Sequence, residues 1–311
     1  MFFRLHSHRQ SSPLFHGGVT LILVALSAFL IHAAHSYATG TMPYHLVDHR
    51  VAGGSLVIAG GGYVSPEVRA RFVELAGGPN AQIVVIPATD PDPGDEDKWL
   101  APWRGVGALH VQFCNAHDRA TANSKQFCAN LARATGVWFS GGYQAILADR
   151  YVDTAVQKCL HDVLRRNGVV GGCSAGAAIL SRIMIKEGEV TPVEARGLDL
   201  ISDAIVDQHF LQRNRLWRMQ QVLEAHPTSI GLGIDENTAL IVEVASWRLK
   251  VLGESYAMVC LPSAEGRSSR IEVLKAGECV LLSQLRKDHL AYQSPVQVDK
   301  PLIQVSALHS A

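Results

Sequence analysis

The sequence predicts an α/β fold, a parallel sheet covered by helices on both faces and finished by C-terminal β-hairpins. Short apolar runs at residues 55–59, 82–87, 109–113, 137–139 and 168–170 are separated by helix-type segments. That alternation is the rhythm of crossover-connected parallel strands. The clusters Gly60-Gly61-Gly62 and Ser140-Gly141-Gly142 each follow one of these runs, at the carboxyl strand ends where such sheets form sites. From Ala239 onward the pattern becomes β-type runs with turns at Gly253, Gly266 and Gly277.

The chain has 311 residues and is 48% hydrophobic, enough for one sizeable core. Lys and Arg number 28 against 28 Asp and Glu, so the basic excess that a nucleic-acid partner demands is missing. Arg4, His6, His8 and Arg9 form a basic start, residues 19–34 are almost wholly apolar, and Ser36 and Ala38 are placed for cleavage after Ala38. This is the layout of a secretory signal, and predicts a secreted or periplasmic protein. The alternative is an uncleaved membrane anchor through residues 17–34. Residues 39–311 are expected to form a single α/β domain. Cys114, Cys128, Cys159, Cys173, Cys260 and Cys279 include no C-x-x-C pair and no Cys/His metal set, so neither zinc nor a disulfide is assigned.

Along the chain, the run 55–59 ends in three glycines, and Ser65-Pro66-Glu67 starts a helix with a cap, a first-turn proline and an early acid. The glycines lack the G-x-G-x-x-G spacing of a dinucleotide site and read as a tight loop bordering the site. Residues 90–97 form an acidic, proline-containing loop. A helix is predicted over 120–134, closed by Gly136, and another over 151–166. Residues 187–199 read as a polar loop. Ile205-Val206 leads into Asp207-Gln208-His209-Phe210, a helix is predicted over 212–225, and a strand over 230–234 ends in Asp235-Glu236-Asn237. The tail from Tyr292 carries no strong signal.

The chemistry gathers at Gly172-Cys173-Ser174-Ala175-Gly176. A serine between near glycines, where a buried strand meets small residues and then Ile179-Leu180, is the nucleophile-elbow pattern. The turn strains the serine backbone and exposes its hydroxyl above a helix N-terminus. The N–H of Ala175 can then hold an oxyanion, with Gly142 as the second donor. A turn that needs glycine only for close packing would read the same way locally. A serine nucleophile needs a base, normally a histidine oriented by a carboxylate. Downstream stand His209, His226, His289 and His309. His209 is favoured by its strand-end position beside Asp207 and Gln208, and the acid by Asp235 or Glu236 at the end of the next strand. The order Ser, His, acid differs from that of α/β-hydrolases. Arg215 and Arg218 fall on neighbouring helix faces and Arg213 elsewhere. One of them could clamp a carboxylate, and a solvated basic face is the plainer reading.

Taken together, Phe139-Ser140-Gly141-Gly142 with Gln144, Gly172-Cys173-Ser174-Ala175-Gly176-Ala177, Asp207-Gln208-His209-Phe210 with Arg213, Arg215 and Arg218, and Gly233-Ile234-Asp235-Glu236-Asn237-Thr238-Ala239 resemble the cyanophycinase group of peptidase family S51, which also includes aspartyl dipeptidase. The resemblance spans about residues 56–277. It implies a three-layer sheet like that of class I glutamine amidotransferases, of flavodoxin-like type, with serine in place of cysteine. Ser174 is then the nucleophile, His209 the base and Glu236 its orienting acid. Gln144, Asp207, Gln208, Arg213, Arg215 and Arg218 match substrate-pocket positions. The implied reaction is hydrolysis of cyanophycin, a polyaspartate bearing arginine on each side chain, to β-Asp-Arg dipeptides. No metal or organic cofactor is called for, and a homodimer is implied. The chain departs from the group at Tyr143, where Asp is frequent, and at Cys173, where Thr is common. Other readings of the same motifs are an exported aspartyl or isoaspartyl dipeptidase, a non-catalytic binding protein on this fold, and an amidotransferase using Cys173.

Overall fold

Strands buried on both faces need unbroken apolar runs, and Leu56-Val57-Ile58 and Ile83-Val84-Val85-Ile86 supply them, all at most 2% exposed. In the computed structural model, which describes residues 53–87, 94–263 and 269–285, these runs form β1 (Ser55–Ala59) and β2 (Gln82–Ile86). With β3 (His110–Phe113), β4 (Gly136–Phe139) and β5 (Val169–Cys173) they make a parallel sheet in the order β3-β2-β4-β5-β1. The stretch β3-β2-β4-β5 repeats the 2-1-3-4 order of flavodoxin-like sheets, and β1 occupies the next place. The α/β class read from the sequence is the architecture found.

The C-terminal β-hairpins form as predicted, and the first of them continues this sheet. β10 (Thr238–Glu243) pairs antiparallel with β1, and β11 (Arg248–Gly253) and β14 (Cys279–Leu281) extend the sheet to eight strands. A second sheet, β13-β12-β9-β8, joins β8 (Ala204–Gln208) and β9 (Ile230–Ile234) in parallel to the antiparallel β12 (Tyr256–Leu261) and β13 (Arg270–Lys275). Residues 187–199 are not simply a loop. They include most of a hairpin of β6 (Ile183–Glu187) and β7 (Val193–Arg196).

Helix boundaries differ from expectation for local reasons. Helix α1 (Pro66–Leu75) starts as read, with Ser65 Oγ accepting from Val68 N–H at 3.3 Å. Helix α2 (Asp97–Arg104) was not legible, and its Trp103 packs on Phe72 and Trp138 in a tilted aromatic cluster with centroids 5.1 Å away from each. The predicted helix 120–134 is two, α3 (Arg119–Ala122) and α4 (Lys125–Arg133), because Asp118 and Ser124 each cap a new start. The helix predicted over 151–166 is α6 (Ala155–Arg165), while Tyr151 closes the preceding α5 (Gln144–Tyr151). Asp153 at φ 59° and the Thr154 hydroxyl, which donates to Tyr151 O at 2.7 Å, break the chain between them.

The leader-like residues 1–38, residues 90–93 of the acidic loop predicted over 90–97, Gly266, His289, His309 and the tail from Tyr292 lie outside the described residues, and Asp97 at the end of that predicted loop begins α2. Among the described residues no helix is long and apolar enough to cross a membrane.

Candidate active site

Three strands of the main sheet, β1, β4 and β5, deliver their carboxyl ends to one edge. Beyond β5, Ser174 adopts φ 54° and ψ −115°, a conformation that costs a non-glycine residue of order 1–3 kcal/mol. Its N–H is tied to Ala59 O at 3.0 Å, so the strain is held by the neighbouring strand. The one-turn helix α7 (Ala175–Ala178) follows. Gly172 and Gly176 flank the turn because nothing larger fits. A Cβ on Gly172 would lie 2.2 Å from Gly176 O, and one on Gly176 would lie 2.3 Å from Phe139 O. The packing role and the elbow role of these glycines are therefore the same constraint.

His209 leaves β8 at φ 49°, with its N–H on Gly60 O at 2.7 Å. That backbone turn swings the imidazole under the glycine loop. His209 Nε2 lies 2.7 Å from Ser174 Oγ, and His209 Nδ1 lies 2.5 Å from Glu236 Oε1. Asp235 is not the partner. Its Oδ1 accepts from the N–H groups of Leu211 and Gln212 at 3.1 and 3.0 Å, and its Oδ2 from Ser255 Oγ at 2.9 Å. It braces the turn that carries His209. This turn, with Asn214 at φ 49°, also delays α8 (Leu216–Ala225), which starts later than the predicted 212.

The imidazole is buried, and burial lowers its pKa below the usual 6.5. The Glu236 hydrogen bond opposes the shift, while the Arg213 and Arg215 charges reinforce it. The neutral form, able to accept a proton, is thus favoured at neutral pH. Below about pH 6.5 the unfolded chain binds this proton more readily, so the corresponding stability is lost as pH falls. Cys173, beside Ser174, is different. Burial pushes its thiol up to about 11, which leaves it a poor nucleophile.

The glycine loop 60–62 borders the site as the sequence implied, and Gly61 is its closest point. It sits at φ +123°, and an added Cβ would lie 2.1 Å from His209 Cε1. Gly61→Ala is therefore expected to displace the imidazole and lower kcat/KM by about 100-fold, the cost of a misplacement near 1 Å. Steady-state kinetics beside an unchanged far-UV spectrum checks this. Asn237, at φ 56°, was missed as a supporting residue. Its Oδ1 accepts from Tyr63 N–H at 2.8 Å and so pins the glycine loop. Asn's tolerance of left-handed backbone was the available signal.

On the far side, Gly141 approaches Ser174, its notional Cβ being 3.5 Å from Ser174 Cβ. Gly142 adopts φ 146°, a conformation that favours glycine. Ala175 is the first residue of α7, where an N–H has no intrahelical acceptor. Gln144 opens α5 and donates through Nε2 to Ile185 O at 3.1 Å.

The expected pocket residues divide. Asp207 is fully buried and Arg218 is 1% exposed. Arg218 Nε meets Asp207 Oδ2 at 2.7 Å, Nη2 meets Oδ1, and Nη1 donates to Gly188 O at 2.9 Å. The resemblance had assigned both to the pocket wall. In the structure the two form a buried bidentate ion pair with each other. The solvated basic face is corrected, since Arg215 is 4% exposed, with Nη1 on Gln208 O at 2.7 Å and Nη2 on Glu189 Oε1 at 2.8 Å. Arg213 is exposed and Gln208 is buried. Breaking a buried pair strands one charge, so Asp207→Asn is expected to cost about 3–5 kcal/mol, read from a denaturant midpoint. Among the described residues no cluster of three His, Cys, Asp or Glu side chains is placed to hold a metal.

A mostly parallel α/β sheet with this hydrogen-bonded corner at its carboxyl edge belongs to the class of hydrolytic enzymes. The profile of Peptidase family S51 matches residues 56–250, and the chain belongs to that family of peptidases. It is 30% identical to the Cyanophycinase of Synechococcus elongatus over 283 residues, covering 82% of this chain and 88% of that protein. It is 32% identical to the Cyanophycinase of Trichormus variabilis over 235 residues, covering 73% of this chain and 78% of the relative. A crystal structure of a peptidase from an acI-B1 Actinobacterium shares the fold, with TM-score 0.57 and 24% identity, covering 74% of this chain and 97% of that one.

Proposed function

We propose that this peptidase is a serine exopeptidase that hydrolyses cyanophycin to β-Asp-Arg dipeptides. The observation that carries the hydrolytic part is the unbroken Ser174–His209–Glu236 hydrogen-bonded chain, 2.7 and 2.5 Å long in its two links, at a strained elbow. The substrate class rests on the relatives named above.

In this mechanism His209 Nε2 takes the Ser174 proton as Oγ adds to an aspartyl carbonyl. Glu236 accepts from the Nδ1–H, fixes the tautomer and stabilises the imidazolium that forms. The N–H groups of Gly142 and Ala175 receive the oxyanion, each donor being worth about 3 kcal/mol of barrier. His209 then protonates the leaving amine, and water, activated by the same base, releases the acyl group from Ser174. Of the resemblance-derived pocket residues, Gln144, Gln208, Arg213 and Arg215 keep a substrate role here. Gln208 Oε1 and Arg215 Nε are buried without a hydrogen-bond partner among the described residues. Export through residues 1–38, by cleavage or anchoring, and a homodimeric state belong to the same reading. Mass spectrometry of the mature N-terminus and sedimentation test them.

The substrate test is mass analysis of products after incubation with cyanophycin and, separately, with α- and β-aspartyl dipeptides. Release of β-Asp-Arg from cyanophycin supports the reading. Turnover of the dipeptides alone would replace it with an aspartyl dipeptidase.

A further inference from the structure

The half-buried Arg69, on α1, is unusually placed for an arginine of this chain. Its helical neighbour Arg71 pairs with Glu74 at 2.7 Å, and Arg215 and Arg218 are engaged by carboxylates. The backbone N–H of Arg69 donates to Ser65 O at 3.1 Å, while its guanidinium makes no hydrogen bond or ion pair with any described residue. Its contact is the ring of Tyr63, with the guanidinium carbon 5.6 Å from the centroid.

That stack stands at the rim of the site. Tyr63 is 60% exposed, its N–H is held by Asn237 Oδ1 at 2.8 Å, and it follows Gly62, whose notional Cβ lies 3.3 Å from Glu236 Oε2. From the other direction, Arg69 is near enough to Cys173, the residue before the nucleophile, for its charge to act on that thiol. Val68 and Cys173 belong to one buried apolar cluster, which fixes α1 against the end of β5. A guanidinium stacked on an aromatic face is partly desolvated and oriented. Without a carboxylate of its own, it presents a planar fork that matches one supplied from outside.

We propose that Arg69, carried on Tyr63, is a substrate-binding residue that takes a free carboxylate of the aspartyl peptide. It would complement Arg213, which leaves the site from the His209 turn. The inference rests on the peptide reading above and names a specificity element for it. A ligand carrying free carboxylates is selected over its neutral amide, and Tyr63 acts through Arg69 as a positioning residue.

Calorimetric titration on the full chain bearing Ser174→Ala separates this from turnover. The probes are β-Asp-Arg and its diamide, which lacks both carboxylates. Adding Arg69→Gln is expected to weaken β-Asp-Arg binding roughly 10- to 100-fold, the range for a charged hydrogen-bonded contact. The diamide binds weakly and equally to both proteins. Tyr63→Leu, which keeps the charge and removes the stack, gives a smaller loss confined to the dipeptide. Equal affinity with and without Arg69, an equal loss for the diamide, or no measurable dipeptide binding would each overturn the proposal. Absence of cyanophycin turnover by the unsubstituted protein would instead sink the substrate reading, so the two failures are read from different experiments.

Discussion

Replacing Ser174 with Ala is expected to lower kcat by about 10⁴- to 10⁶-fold, the range seen when a triad nucleophile is removed. The reason is local. Ser174 Oγ is the atom His209 Nε2 meets at 2.7 Å, and the adjacent Cys173 thiol, pushed up to about 11 by burial, cannot substitute for it. The strained φ of 54° is imposed by the N–H bond to Ala59 and the tight glycine contacts around the elbow. Alanine occupies the same backbone, so thermal stability should stay close to that of the parent. Steady-state kinetics beside a melting curve reads both. Retention of more than a few per cent of activity would move the chemistry to another residue.

Glu236→Gln should cost about 10⁴-fold in kcat, as loss of the orienting carboxylate does when the histidine is left free to take the wrong tautomer. An amide can donate to Nδ1, which puts the proton on Nε2 and removes the acceptor that Ser174 needs. The pH profile adds a sign. Burial lowers the His209 pKa and the Glu236 hydrogen bond raises it. The acid limb of kcat/KM in the parent therefore falls below pH 6.5, and in Glu236→Gln it moves lower still. An acid limb that shifts upward would mean that Glu236 does not face the titrating base.

The sheet, the elbow turn, the strand-end position of His209 and the acidic pair Asp235-Glu236 were legible because each leaves a local mark: apolar runs for buried strands, small residues where backbones touch, and a polar triplet at a strand end. Asp235 and Glu236 could not be separated by sequence alone. They are adjacent, and only the closure of the His209 turn onto Asp235 Oδ1 leaves Glu236 for the imidazole. The fate of Asp207 and Arg218 was hidden for a related reason. A charged residue at a pocket position in the linear pattern reads as a ligand contact until its partner, eleven residues along, is seen to bury it. The breaks at Asp153 and Ser124 escaped because capping competes with helix continuation through single side-chain hydrogen bonds, which periodicity does not register. The assignment of the C-terminal strands to two sheets depends on long-range pairing, such as Ala239 with Ala59 and Ala257 with Ile234.

The most direct measurement of whether hydroxyl, imidazole and carboxylate work as one unit is labelling with an organophosphonate that reacts with activated serines, followed by peptide mapping. One adduct per chain, on Ser174, with its rate falling below pH 6.5 and abolished by His209→Ala, is the predicted result. An unlabelled Ser174, or one labelled as fast without His209, would contradict a serine activated by this histidine.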